Sequence, residues 1–196
     1  MSMIPMAGQA FESLSTEQFR LKMRPHAVAI YNQLFPKCRI DDLRENGLRV
    51  HILDKEFGID TLATMQSGQW VSIQEKYRTY DYLTKPHLQI DPPTPDFTKE
   101  YKNAEGTPFE QPGEWFKLGA QLYFYGWANE SQTAFAKWVL LDIAKYKLHV
   151  EQSGGLATLG RLMKNNKHGK ATFYAIPITR LKPAWIATYS NPIISP

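Results

Sequence analysis

Asp60, Gln74 and Lys76 bring a carboxylate, an amide oxygen and an amine into one short span of the sequence. That set suits phosphodiester hydrolysis. A carboxylate with neighbouring oxygens holds Mg²⁺ or Mn²⁺, which keeps some of its waters, and a lysine steadies or deprotonates the attacking water. The same lysine offsets charge on the scissile phosphate.

These residues act together only if strands position them. In "VSIQEKYR" (Val71–Arg78) side chains alternate between two faces, so Ser72, Gln74, Lys76 and Arg78 share one side. Val71, Ile73, Glu75 and Tyr77 share the other. A wholly polar strand face lines solvent or a site, and the alternate face is ready for a core. "GIDTLATM" precedes it, joined through the turn "QSG", and a hairpin folds Asp60 back beside Gln74 and Lys76. Glu75 reads two ways: an acid sharing the metal site if the strand bulges, or a core-side residue paired with a buried base.

Through "GID" (Gly58-Ile59-Asp60) and "QEK" (Gln74-Glu75-Lys76) the chain resembles the PD-(D/E)XK, or restriction-endonuclease-like, nuclease superfamily. It is most similar to the Mrr-like branch, where Gln-x-Lys often replaces Glu-x-Lys. The resemblance implies an α/β fold with a mixed central sheet flanked by helices, and a DNA substrate. It also implies Mg²⁺ (or Mn²⁺) as cofactor and a homodimer as an expected assembly. Asp60 would be the metal ligand, Gln74 the variant acid position, Lys76 the catalytic lysine, and Glu75 a metal ligand through its backbone carbonyl. Ile59 stands where the superfamily's name has proline. A neutral amide binds a hard cation less well than a carboxylate, so a further acid is expected to help, with Glu17, Asp54 and Glu56 as candidates. The specific resemblance covers about Asp54 to Arg78.

Around this hairpin the patterning predicts helical cover over residues 1–35. Ser15 caps it with Gln18 three residues on, and Pro25 interrupts or restarts it. "LRVHILD" alternates as a first strand of a three-strand meander. Residues 84–113 are rich in Pro, Gly and charge and are expected to form a loop or flap within a single domain. "AQLYFYGWA" and "AFAKWVLLDIA" predict two paired core strands, "LATLGRLMKNN" a helix and "ATFYAIPI" a last strand.

Composition sets the outer bounds. The chain has 196 residues, 43% hydrophobic and 21% charged, enough for one full core. A net charge of +4 leans towards a polyanion partner. Arg78, Arg161, Lys164, Lys167 and Lys170, with His168, are the candidate phosphate contacts. The single cysteine, Cys38, forms no internal disulfide, and no apolar run reaches the ~18 residues a membrane helix needs, so a cytoplasmic protein is expected. Scattered histidines lack the spacing of a helical zinc pair, and no phosphate-binding glycine loop occurs. Two other readings stay open: a noncatalytic nucleic-acid-binding or assembly protein on the same fold, and an α+β protein whose polar strand face is merely exposed.

Overall fold

The structure, a computed structural model, describes residues 7–43, 53, 56–90, 94–165 and 170–189. Helix α1 (Ala7–Leu34) runs through both Ser15 and Pro25, where a cap and a break were expected. Pro25 removes the donor to the carbonyl of Leu21, and both residues are exposed, so water can take the freed acceptor. Met23, Ala27, Tyr31 and Leu34 form one buried stripe across the proline and hold both halves on the same surface.

Ten strands follow among the described residues: β1 (Arg39–Asp42), β2 (Thr61–Thr64), β3 (Trp70–Arg78), β4 (Asp96–Asn103), β5 (Gln111–Pro112), β6 (Leu122–Ala128), β7 (Phe135–Asp142), β8 (Arg161–Lys164), β9 (Thr172–Pro177) and β10 (Trp185–Thr188). Helix α2 (Ile143–Gln152) lies between β7 and β8. A mixed six-stranded sheet is ordered β1-β2-β3-β6-β7-β10, and an antiparallel four-stranded sheet β5-β4-β9-β8.

The expected second and third strands are β2 and β3. The expected first strand, "LRVHILD", lies outside the described residues except for Leu53, which is helical. The strand beside β2 is the earlier β1, whose "RIDD" sequence is too polar to read as half-buried. "LATLGRLMKNN" is also corrected: only Leu156–Leu159 make a helical turn, and β8 starts at Arg161. Gly160, extended at the end of that turn, lets the chain pass close to β9, where a Cβ would stand 2.4 Å from the Ala175 carbonyl oxygen. Helix α2 starts where the predicted β-run "AFAKWVLLDIA" ends, because Asp142 Oδ1 accepts the Lys145 N–H at 2.9 Å and caps it.

The pair β3–β6 is parallel, with Gln74 opposite Tyr123 and Lys76 opposite Tyr125. Parallel neighbours need a crossover of about a dozen residues or more. Here the crossover is residues 79–121, which leave the first sheet, lay down β4 and β5 in the second, and return through a 3₁₀ turn, Glu114–Lys117. The expected loop or flap over residues 84–113 therefore contains an eight-residue strand. Four prolines precede β4 and two follow it, so none enters it, and the charges of "DFTKEYKN" concealed it.

Strand β6 is buried along its whole length. Leu122, Phe124 and Ala128 face α1, with Met23, Ala27, Tyr31 and Ile73 in one core. Tyr123, Tyr125 and Trp127 face the second sheet and α2, packing with Phe97, Tyr146 and Ile176 in another. The central sheet thus has a helix on one face, as expected, but a second sheet joins α2 in covering the other.

Candidate active site

Two backbone contacts bring Asp60 to β3. Its N–H donates to Ile73 O at 3.0 Å, and its Oδ2 accepts the Glu75 N–H at 2.7 Å. The carboxylate thereby replaces the next carbonyl of the β2–β3 ladder. The N–H and C=O of one strand residue leave on the same edge, so the Glu75 carbonyl faces the edge where Asp60 sits. Gly58 leaves room for Gln74: its φ is +59°, and a Cβ there would lie 3.0 Å from Gln74 Nε2. Asp60, Gln74, Lys76, Arg78, Glu114 and Lys117 line one cleft of about 460 Å³.

The front face of β3 meets the crossover inside this cleft. Lys76 Nζ donates to Glu114 Oε1 at 2.6 Å. Lys99 of β4, with no exposed surface, stands 3.4 Å from Glu114 Oε2 and 3.5 Å from Gln74 Oε1. Its Nζ also lies 4.5 Å from the centroid of the Tyr123 ring, over the face that attracts cations. Burial pushes the Lys99 ammonium down to about 8, against the opposing pull of Glu114. Burial pushes the Glu114 carboxyl up, but Lys76 and Lys99 outweigh it and hold it well below the usual carboxylate range. Glu100, on the same cleft, is raised by burial and then by Glu114.

Lys99, Glu100 and Glu114 were missed from the sequence. The available signal was the alternation of Phe97, Lys99 and Tyr101, two aromatics bracketing a lysine at strand spacing. Nothing in the sequence pairs Glu114 with Lys76.

Arg78 completes the polar face. Its Nε donates to Tyr125 OH at 2.9 Å, its Nη2 to Thr98 Oγ1, and its guanidinium carbon lies 4.7 Å from the Tyr82 ring centroid. Of the other predicted phosphate contacts, Lys164 borders a second groove, where it also pairs with Glu105 at 3.2 Å. Arg161 and Lys170 are exposed and line neither cavity, and Lys167 and His168 lie outside the described residues.

Of the candidate helping acids, Glu17 reaches the cleft from α1, paired with Arg20 at 2.7 Å. Glu56 is exposed and does not line the cleft, and Asp54 lies outside the described residues.

Glu75 points the other way, with only 6% of its side chain exposed. Its Oε1 accepts from Arg24 Nη1, from Tyr31 OH at 2.9 Å and from Thr61 Oγ1 at 2.8 Å; its Oε2 accepts from Tyr77 OH. Burial raises the Tyr31 and Tyr77 hydroxyls well above their ordinary value, and Glu75 adds to the rise, so both stay protonated as donors. This is the core-side reading of Glu75, with Arg24 as the buried base. Its side chain is held on the α1 side of β3, although Glu75 still borders the cleft with Tyr77 and Arg20, and its backbone carbonyl leaves on the Asp60 edge.

Asp60, Gln74 and that carbonyl make a hard-oxygen set. Mg²⁺ commonly binds one or two carboxylates and takes the rest of its shell from water and substrate phosphate. Among the described residues no group of three or more His, Cys, Asp or Glu side chains converges as a metal cluster. Asp60, Gln74 and the Glu75 carbonyl are the groups that could hold a cation here, beside the ammonium groups of Lys76 and Lys99.

No protein-family profile, no curated protein and no solved structure matches this chain.

Proposed function

We propose that the chain is a metal-dependent nuclease domain of the PD-(D/E)XK type that hydrolyses phosphodiester bonds in DNA. The observation that carries this reading is the convergence of Asp60, Gln74 and Lys76 on one cleft that also holds Arg78 and Lys117. The helix-first order, followed by a strand hairpin bearing the acid and the lysine, is compatible with a restriction-endonuclease-like core.

In this reading Asp60, Gln74 and the Glu75 carbonyl would hold Mg²⁺ or Mn²⁺, which when bound supplies a Lewis acid and an acidified water. Lys76 gives one N–H to Glu114 and keeps others for a phosphate oxygen or the attacking water. Glu114 fixes that ammonium on the cleft wall. Lys99 braces Glu114 and fills the space beneath Gln74. Arg78 offers its remaining N–H donors to a neighbouring phosphate.

Incubation of the protein with plasmid, linear and single-stranded DNA in Mg²⁺ or Mn²⁺ tests the reading. Cation-dependent cleavage is expected, reduced roughly a hundredfold or more in Lys76→Ala and in Asp60→Ala. Cleavage that survives both substitutions would sink it.

The neutral Gln74 ligand, with Lys99 at its oxygen, favours a second reading: a nucleic-acid-binding protein that retains the fold without cutting. Its signature is DNA binding that falls steeply with salt and no cleavage in either cation.

A further inference from the structure

We infer that the groove adjoining the active-site cleft, walled by Tyr82, His87 and Phe173 and headed by Arg78, binds an unpaired nucleobase and its phosphate, so that the preferred substrate is single-stranded nucleic acid. The inference rests on the nuclease or nucleic-acid-binding reading and names its substrate class. The groove has a volume of about 420 Å³, within the ~300–1,000 Å³ range of small-ligand sites. Lys76, Arg78, Glu100 and Glu114 line both cavities, so the groove is continuous with the cleft.

The wall is a file of rings. The Arg78 guanidinium carbon lies 4.7 Å from the Tyr82 centroid, Tyr82 and His87 centroids are 5.6 Å apart, and His87 and Phe173 are 5.2 Å apart. All three rings are half-buried rather than sealed in the core. Asp96 anchors the backbone beside His87: its Oδ2 accepts the Leu88 N–H at 3.0 Å and lies 3.5 Å from His87 Nδ1 without a hydrogen bond to it. The rings are tilted by 44° and 72° to one another and Arg78 covers one face of Tyr82, so each ring offers a separate face or edge to a base, and in a duplex the base faces are already occupied by their neighbours.

Arg78 supplies the anion contact. Its hydrogen bonds go only to hydroxyls, Tyr125 OH and Thr98 Oγ1, and no carboxylate pairs with it at ion-pair distance among the described residues. Among the described residues its Nη1 makes no hydrogen bond. A cation braced by neutral groups, with an unused donor at the junction of two cavities, suits a phosphate that links a stacked base to the next nucleotide. Glu100 and Glu114 line the same junction, and their charge sets a penalty for a second phosphate beside the first.

The test is fluorescence anisotropy of labelled 12-nucleotide DNA in EDTA, where no cleavage occurs. The probes are a single strand, the same sequence as duplex, and a strand with abasic sites at its centre. Wild type is expected to bind the intact single strand at least tenfold more tightly than the other two. Tyr82→Leu and Phe173→Leu are each expected to lose roughly tenfold in single-strand affinity, with duplex and abasic binding unchanged, while Tyr82→Phe keeps the wild-type preference. Lys76→Ala, which removes cleavage under the proposed function, should keep that preference too. If the ring variants bind all three probes with wild-type ratios while wild-type protein still cleaves DNA, the groove inference fails and the nuclease reading stands. If no probe binds at any salt concentration, the groove inference fails, and the nuclease reading is decided by cleavage in Mg²⁺ or Mn²⁺ alone.

Discussion

The two faces of β3 carry charged groups of similar kind in opposite circumstances. Behind the sheet, Glu75 is a buried carboxylate with four donors around it: Arg24, Tyr31, Thr61 and Tyr77. Arg24 reaches on to Asp42 at 3.2 Å, and Arg20 meets the same Asp42 oxygen at 2.9 Å, so α1, β1 and β3 are stitched together. In front, Lys76 and Lys99 share the Glu114 carboxylate, and Lys76 and Arg78 line an open cleft whose wall also carries Asp60, Glu100 and Glu114. The back network closes on itself, and the front set keeps donors unspent. Saturation suits a scaffold, whereas cations and carboxylates with displaced pKa values around an open cleft are the pattern of a functional site.

The largest break in this contrast should come from Glu75→Ala. It leaves Arg24 as a buried cation with a weaker partner and strips three hydroxyls of their acceptor, and should cost about 3–5 kcal/mol of stability in urea unfolding. Lys76→Ala should do the reverse. Glu114 keeps Lys99, so stability should change by about 1 kcal/mol or less while cleavage falls by about 3–4 kcal/mol of transition-state stabilisation. If Lys76→Ala proves as destabilising as Glu75→Ala, the front face is scaffold as well.

Lys99 tests how far burial strains the front face. Its folded-state value of about 8 lies below the ordinary 10.5, so the unfolded chain binds more protons between those values. Its contribution to stability therefore rises with pH across that window, the opposite of a lysine gaining a surface partner. Relative to Lys99→Met, the wild type should gain about 3 kcal/mol on going from pH 7.5 to above 10, read from urea midpoints at each pH. A flat difference would mean that Glu114 and the Tyr123 ring fully offset the burial.

The smallest effect should come from Gly58→Ala. Its positive φ and the Gln74 amide beside it should together cost about 1 kcal/mol in thermal or urea unfolding. The same change pushes Gln74 off the glycine, so activity should fall more than stability does. Loss of stability without loss of activity would remove Gln74 from the working set.

The hairpin and its chemistry were readable before any fold was known. Period-two alternation separates Gln74, Lys76 and Arg78 from Glu75 and Tyr77, and the short turn carries Asp60 back to β3, because both follow from local backbone geometry. Core strands β6, β7 and β9 announced themselves through aromatic and β-branched runs. Strand β1 and strand β4 did not, since charged side chains along a strand read as solvated until another layer covers them. Helix α1 misled because Pro25 is a breaker in the chain yet falls on the exposed side of the helix.

The sequence by itself determined which residues of β3 share a face and that Asp60 joins them, since strand periodicity and a tight turn act over a few residues. Only the tertiary structure decided what meets that face. The parallel β3–β6 pair demands a long crossover, and its route through a second sheet carries Lys99 and Glu114 from 23 and 38 positions downstream of Lys76 into the cleft. Contacts across such separations depend on how layers stack, which no local pattern encodes.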